Sequence, residues 1–151
     1  MRRKTFLAAP LFNPRERAFN ALVATKLRGH VDVFLPQEDC GLLVDCLTQG
    51  ENAEAAELRI SKTDLQAIGR CDILLAILDG AHIDEGVAFE IGYAFAKDKL
   101  CVALQTDVRR ALPTGNNLMI QCALHRVFSD LEDLINWMRH ASEGTPRMSV
   151  E

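Results

Sequence analysis

The chain has 151 residues, 48% of them hydrophobic and 25% charged, with a net charge of −4 at pH 7; this describes one soluble globular domain long enough to bury a core. No basic run follows the first four residues, which argues against nucleic acid or an anionic membrane as the main partner, because phosphate binding leaves a Lys/Arg footprint. No window approaches the roughly 18 apolar residues of a membrane span.

The opening MRRKTFLAAPLF has the outline of a signal peptide, but its apolar stretch is short and contains Pro10. A first strand at TFLAA (5–9) accounts for it better. PRERAFNALVATKLRG (14–29) predicts a helix with Phe19, Leu22, Val23 and Leu27 as its inner stripe and Gly29 at C′. VDVFL (31–35) predicts a second strand. After a polar, Ala/Glu-rich stretch, ISKTDLQAIGRC predicts a helix leading into a third strand, DILLAIL (72–78). DEGVAFEIGYAFAKDK (84–99) predicts a helix leading into a fourth, LCVALQ (100–105). These two strands are nearly continuous apolar runs, as expected of strands covered on both faces. HRVFS (125–129) is a weaker fifth strand. SDLEDLINWMRHA (129–141) closes the domain as a helix, with Ser129 or Asp130 as N-cap and Leu131, Leu134, Ile135 and Met138 as its stripe.

Strands alternating with helices imply right-handed βαβ units. The expected fold is a single-domain α/β, flavodoxin-like three-layer sandwich with a five-stranded, mostly parallel sheet over residues 1–141, followed by a mobile polar tail at 142–151. Ligands of such sheets bind beyond the carboxyl ends of the strands, which directs attention to APLF, PQED, DGAHIDEG and TDVRR. The 5 cysteines form no C-x-x-C pair and read as reduced thiols of a cytoplasmic protein. The 4 histidines show no ligand spacing among themselves or with the cysteines, so no metal site is expected.

The DEGVAFEIGYAFA segment poses the functional question. Asp79-Gly80 turns the chain, and Asp84 or Glu85 opens a helix at its positive end. Val87, Ile91, Ala94 and Phe95 form the stripe facing the sheet, and Glu90 lies on the flanking stripe with Gly86, Tyr93 and Lys97. Gly86, lacking a side chain, leaves open space above the Glu90 carboxylate. Burying a charge is costly unless something offsets it. Glu90 therefore either reaches solvent or has a chemical task.

FLAAPLFNPRE, LP (35–36), CDILLAILDG, DEGVAFEIGYAFAKDK, TDVRR and NNLM (116–119), in that order and spacing, resemble the nucleoside 2-deoxyribosyltransferase family from residue 5 to about residue 130. The resemblance implies a retaining transfer of 2-deoxyribose between nucleobases, with a deoxynucleoside and a free nucleobase as ligands and no metal or organic cofactor. Glu90 matches the family nucleophile that attacks C1′. Asp84 matches the aspartate that holds the deoxyribose hydroxyls, and Asp64 the aspartate that contacts the base and protonates it on departure. Asn117 and Met119 match an N-L-M motif inserted into a neighbouring subunit's site, which implies a homo-oligomer with shared active sites. Read locally, GNNLMIQCAL is instead a turn and a short amphipathic helix with Met119 in the core. Phe6 stands where the family often has a tyrosine whose hydroxyl steers the nucleophile; Tyr93, on the Glu90 stripe, is a candidate substitute. QEDC after Pro36 and the DGAHI loop are expected to line the base pocket. Two rival readings stay open. One is a deoxynucleoside or deoxynucleoside 5′-monophosphate N-glycosidase, the latter needing a Gly/Ser-rich phosphate cradle where this chain has APLFNPRE. The other is a non-catalytic nucleoside-binding module.

Overall fold

The computed structural model describes residues 1–141; the mobile tail expected at 142–151 lies outside the described residues. Five parallel strands form one sheet: β1 (Lys4–Ala8), β2 (Asp32–Phe34), β3 (Ile73–Ile77), β4 (Leu100–Leu104) and β5 (Arg126–Phe128). Their spatial order is β2-β1-β3-β4-β5, the flavodoxin-like order whose switch point lies between β1 and β3. All five expected strands are present, and the sheet is wholly rather than mostly parallel.

Helices cover both faces. α1 (Pro14–Leu27) and α7 (Leu131–Ala141) pack Val23, Leu27, Leu134, Ile135 and Met138 onto Leu7, Leu75, Val102 and Leu104. On the other face, α4 (Ala53–Arg70) and α5 (Glu85–Ala96) pack Ile68, Val87, Ile91 and Ala94 onto Phe6, Leu74 and their neighbours. The split follows from strand alternation, which sends Phe6 to one face and Leu7 to the other. On the α4/α5 face, Ala8, Ala76 and Ala103 lie side by side across three strands near their carboxyl ends. The small side chains let the helix layer settle closely over this part of the sheet.

Several local expectations need correction. α2 (Pro36–Asp39) and α3 (Leu43–Thr48) form where no helix was expected, and α4 extends back through the Ala/Glu-rich stretch to Ala53. On α1 the inner stripe runs through Asn20 rather than Leu22: Asn20 is buried and Leu22 is 48% exposed. Asn20 Nδ2 donates to the Pro10 carbonyl at 2.9 Å and to Gln37 Oε1 at 3.1 Å, so a satisfied polar group takes the inward position. Phe95, expected on the sheet-facing stripe of α5, is 50% exposed. Gly29 does not adopt the positive φ of an αL cap. Asp130 is the group that caps α7, its Oδ1 accepting from the Glu132 and Asp133 amides.

The packing yields a stability contrast. Leu134 is fully buried between α7 and the sheet, so Leu134→Ala should cost about 2–5 kcal/mol. Leu22→Ala should stay within roughly 0.5 kcal/mol. Urea unfolding followed by Trp137 emission measures both, since that ring packs on Phe128 with centroids 5.6 Å apart.

Candidate active site

The site is assembled by the two helices of the Phe6-side face. Asp84 is the N-cap of α5; its Oδ2 accepts from the Val87 amide at 3.0 Å. An added Cβ at Gly86 would lie 3.0 Å from that same Oδ2. The missing side chain of Gly86 thus makes room for the Asp84 carboxylate, not, as the sequence suggested, for a hole above Glu90. Asp84 Oδ1 has no partner among the described residues and is free to accept from a ligand.

Glu90 lies one and a half turns further along α5, partly buried. No described residue donates a hydrogen bond to it. Its carboxyl is pushed up to about 8, first by burial and then by the negative charges of Asp64 and Asp84. Asp64, on α4 and also partly buried, is itself raised above the ordinary aspartate range by burial. The structure therefore brings Glu90, Asp64 and Asp84 together as three carboxylates, and no cation offsets the repulsion at Glu90. Two acids with raised pKa values, Glu90 and Asp64, meeting beside a third carboxylate mark a candidate functional site.

The remaining candidates are placed differently. Phe6 is fully buried, stacked on Phe34 with centroids 5.5 Å apart; it forms the floor under the helices and offers no surface to a ligand. Tyr93 does not replace a steering hydroxyl: no hydrogen bond joins it to Glu90, and its ring stacks on Phe89 while the Lys97 ammonium lies 5.6 Å from its centroid. Asn117 caps α6 (Leu118–Ala123), its Oδ1 accepting from the Met119 amide at 2.9 Å. Met119 is 74% exposed rather than in the core, and no hydrogen bond or charge interaction links Asn117 or Met119 to the three carboxylates of their own chain.

Two features were not foreseen. The Cys40 thiol, at the end of α2, donates to Asp64 Oδ1 at 3.1 Å; the sequence placed the QEDC segment near the base but gave no sign of this bond. Gln105 and Asn116 form a buried reciprocal amide pair at 3.1 and 2.8 Å, tying the start of the 106–115 loop to its end just before Asn117. A concavity of about 470 Å³ lies between α4 and α5, bordered by Leu58, Leu65, Tyr93 and Lys97. None of the three carboxylates borders it; charge, not volume, marks the site. Among the described residues no group of histidine, cysteine and acidic side chains is arranged to hold a metal ion, and no helix is long and apolar enough to cross a membrane.

The sequence profile of a family described as nucleoside 2-deoxyribosyltransferase matches residues 5–144. No curated protein sequence matches the chain. Among solved structures, a conserved protein from Enterococcus faecalis V583 is similar at 29% identity and a TM-score of 0.76, over 93% of this chain and 99% of that one. A 2-deoxyribosyltransferase from Bacillus psychrosaccharolyticus is similar at 28% identity and a TM-score of 0.69, over 88% of this chain and 90% of that one. A 2-deoxyribosyltransferase from Leishmania mexicana shares the fold at 22% identity and a TM-score of 0.64, over 91% and 97%.

The raised Glu90 carboxyl has a measurable consequence. The folded chain keeps this proton up to about pH 8, whereas an ordinary glutamate releases it near 4.5. Between those values the folded state binds more protons than the unfolded one, so this group's contribution to stability falls as pH rises. Glu90→Gln keeps the shape and removes the ionisation. Its stability gain over the parent should be small at pH 4 and reach on the order of a few kcal/mol above pH 8. Denaturation at the two pH values measures it, and an equal gain at both would show that Glu90 ionises without strain.

Proposed function

The chain belongs to the nucleoside 2-deoxyribosyltransferase family, and from that premise we propose that it moves a 2-deoxyribosyl group between nucleobases by double displacement through an ester on Glu90. The observation that carries the reading is the set of three carboxylates with no cation among them. Such a cluster is poor at holding three negative charges and well suited to a developing positive one. A 2-deoxyribosyl centre, lacking a 2′-hydroxyl, takes oxocarbenium character readily, and carboxylates around C1′ stabilise that charge.

In the first half-reaction a Glu90 oxygen bonds to C1′ as the C1′–N bond breaks, and the bonding pair leaves with the base. Asp64 supplies the proton that neutralises the departing nitrogen. Ester formation removes the Glu90 charge, and with it the repulsion from Asp64 and Asp84. In the second half-reaction a nitrogen of the acceptor base attacks C1′, the Glu90 carboxylate leaves, and the base's proton passes to Asp64. Two inversions give net retention. Asp84 Oδ1 accepts from the sugar hydroxyls while Oδ2 stays on the helix cap. Asn117 and Met119, exposed on their own chain, complete the site of a neighbouring copy in a homo-oligomer. Water in place of the acceptor base would turn the same ester chemistry into hydrolysis.

Glu90 and Asp64 titrate as a coupled pair. The active form carries one proton, on Asp64. Below the lower step both are protonated and the nucleophile is lost; above about 8, the value to which Glu90 is pushed, the pair is fully ionised and the acid is lost. A bell-shaped kcat/KM profile with its alkaline limb near 8 is expected. Incubation of the protein with 2′-deoxyinosine or thymidine, with and without a free base, followed by chromatography, tests exchange against hydrolysis. Glu90→Ala should lower exchange by roughly 10³-fold or more. Mass spectrometry of enzyme quenched during turnover should find a deoxyribosyl adduct on the Glu90 peptide. Normal exchange by Glu90→Ala ends the proposal. Mixing inactive Glu90→Ala chains with Met119→Ala chains should restore activity in the mixed oligomer; a fully active monomer rules out shared sites.

A further inference from the structure

We propose that Cys40 is the positioning residue for Asp64, its thiol fixing which carboxyl oxygen carries the proton that the leaving base receives. The inference rests on the reading of Asp64 as proton donor and adds a residue that the resemblance assigns no role.

The thiol is held from its own side. Cys40 caps α2, its amide donating to the Pro36 carbonyl at 2.9 Å, and Gly41 turns the chain away at φ +78°. From that fixed point Sγ–H donates to Asp64 Oδ1 at 3.1 Å. Asp64 Oδ2 has no partner among the described residues. A protonated carboxyl has one O–H donor and keeps acceptor capacity on its other oxygen. With Oδ1 accepting from the thiol, the proton of a neutral Asp64 resides on Oδ2, the oxygen free to give it away. Burial, the bond to Asp64 and the charges of Asp64 and Asp39 push the thiol up to about 12, against a smaller opposing effect of Arg59. It therefore remains a neutral donor across the range in which Asp64 and Glu90 titrate, with Asp84 the other charge facing Glu90.

The bond also favours the ionised form of Asp64 and partly offsets the burial that raises it. Removing the thiol then has two effects of opposite sense. Asp64 holds its proton to higher pH, yet delivers it more slowly because the proton is no longer confined to Oδ2. A merely structural thiol would not produce that combination.

The experiment compares the unmodified chain with Cys40→Ala, Cys40→Ser and Asp64→Asn on two donors. One is 2′-deoxyinosine or thymidine, whichever the unmodified chain turns over faster. The other is p-nitrophenyl 2-deoxy-β-riboside, whose nitrophenolate leaves without a proton. Cys40→Ala should lower kcat on the nucleoside roughly fivefold to tenfold, the size of one lost hydrogen bond, with a much smaller effect on the nitrophenyl donor. Cys40→Ser, which keeps a donor, should recover most of the loss. Carbon-13 NMR of the side-chain carboxyls should find the Asp64 titration moved upward in Cys40→Ala, a readout that needs no turnover. An unmoved Asp64 titration, or equal losses on both donors, overturns the role of Cys40. Equal losses on both donors in Asp64→Asn would instead overturn Asp64 as proton donor, and so separate the two failures.

Discussion

The structure turns on one electrostatic constraint: a partly buried glutamate beside two aspartates, with no cation to relieve it. Left free, like charges separate. Here they cannot, because each is fixed by an element with its own reason to stay. Asp84 is held by the cap of α5 and by the lack of a Cβ at Gly86. Glu90 is held by Val87, Ile91 and Ala94, which seat the same helix on the sheet. Asp64 is held by Ile68 one turn away on α4, and by the Cys40 thiol. The apolar contacts of two helices thus oppose a repulsion that the carboxylates alone would relax.

The sheet makes that packing possible. Its parallel order leaves both faces to helices, and the strand order reverses between β1 and β3, the switch point at which such sheets bind ligands. The alanine row on β1, β3 and β4 lets the helix layer lie close. The loops at that edge are tied down as well: Asp79 accepts from the Thr106 amide and hydroxyl, both at 2.6 Å, joining the ends of β3 and β4. The Gln105–Asn116 pair then returns the 106–115 loop to the sheet and sets the start of α6. The exposed Asn117–Met119 segment is thus anchored to the sheet by a buried amide pair, which suits its proposed role in a neighbour's site.

Most of the fold was legible because the strands are short, apolar and separated by helical periods; burial on both faces writes itself as continuous hydrophobic runs. The carboxylate trio was legible through the family resemblance, since Asp64 is far from Glu90 in sequence and no local pattern joins them. What periodicity missed has specific causes. Leu22 and Asn20 exchange expected places because Asn20 finds acceptors in Pro10 and Gln37, partners from outside its helix. The first half of α4 carries only Ala56 as a buried residue, so no stripe announced it. Met119 is apolar and at helical spacing, yet it projects outward; hydrophobicity alone cannot distinguish a core position from an exposed one. The Cys40–Asp64 bond joins positions 24 residues apart, beyond the reach of any local pattern.

Phe6 bears on how Glu90 would be activated in its proposed role. A hydroxyl donor beside Glu90 would favour its ionised form and lower its pKa. The position offers a ring instead, buried and stacked on Phe34, and no other described residue supplies the missing bond. Glu90 therefore keeps its proton at neutral pH, and in the proposed reaction activation has to come from within the carboxylate cluster. In that proposed reaction, moving the proton from Glu90 to Asp64 would create the nucleophile and load the acid together. A sugar hydroxyl bound to Asp84 disperses part of that aspartate's charge and makes an ionised Glu90 less costly. Under that proposal, ligand binding and proton placement are coupled, and Asp64 takes the part in activating Glu90 that a hydroxyl at position 6 would otherwise play.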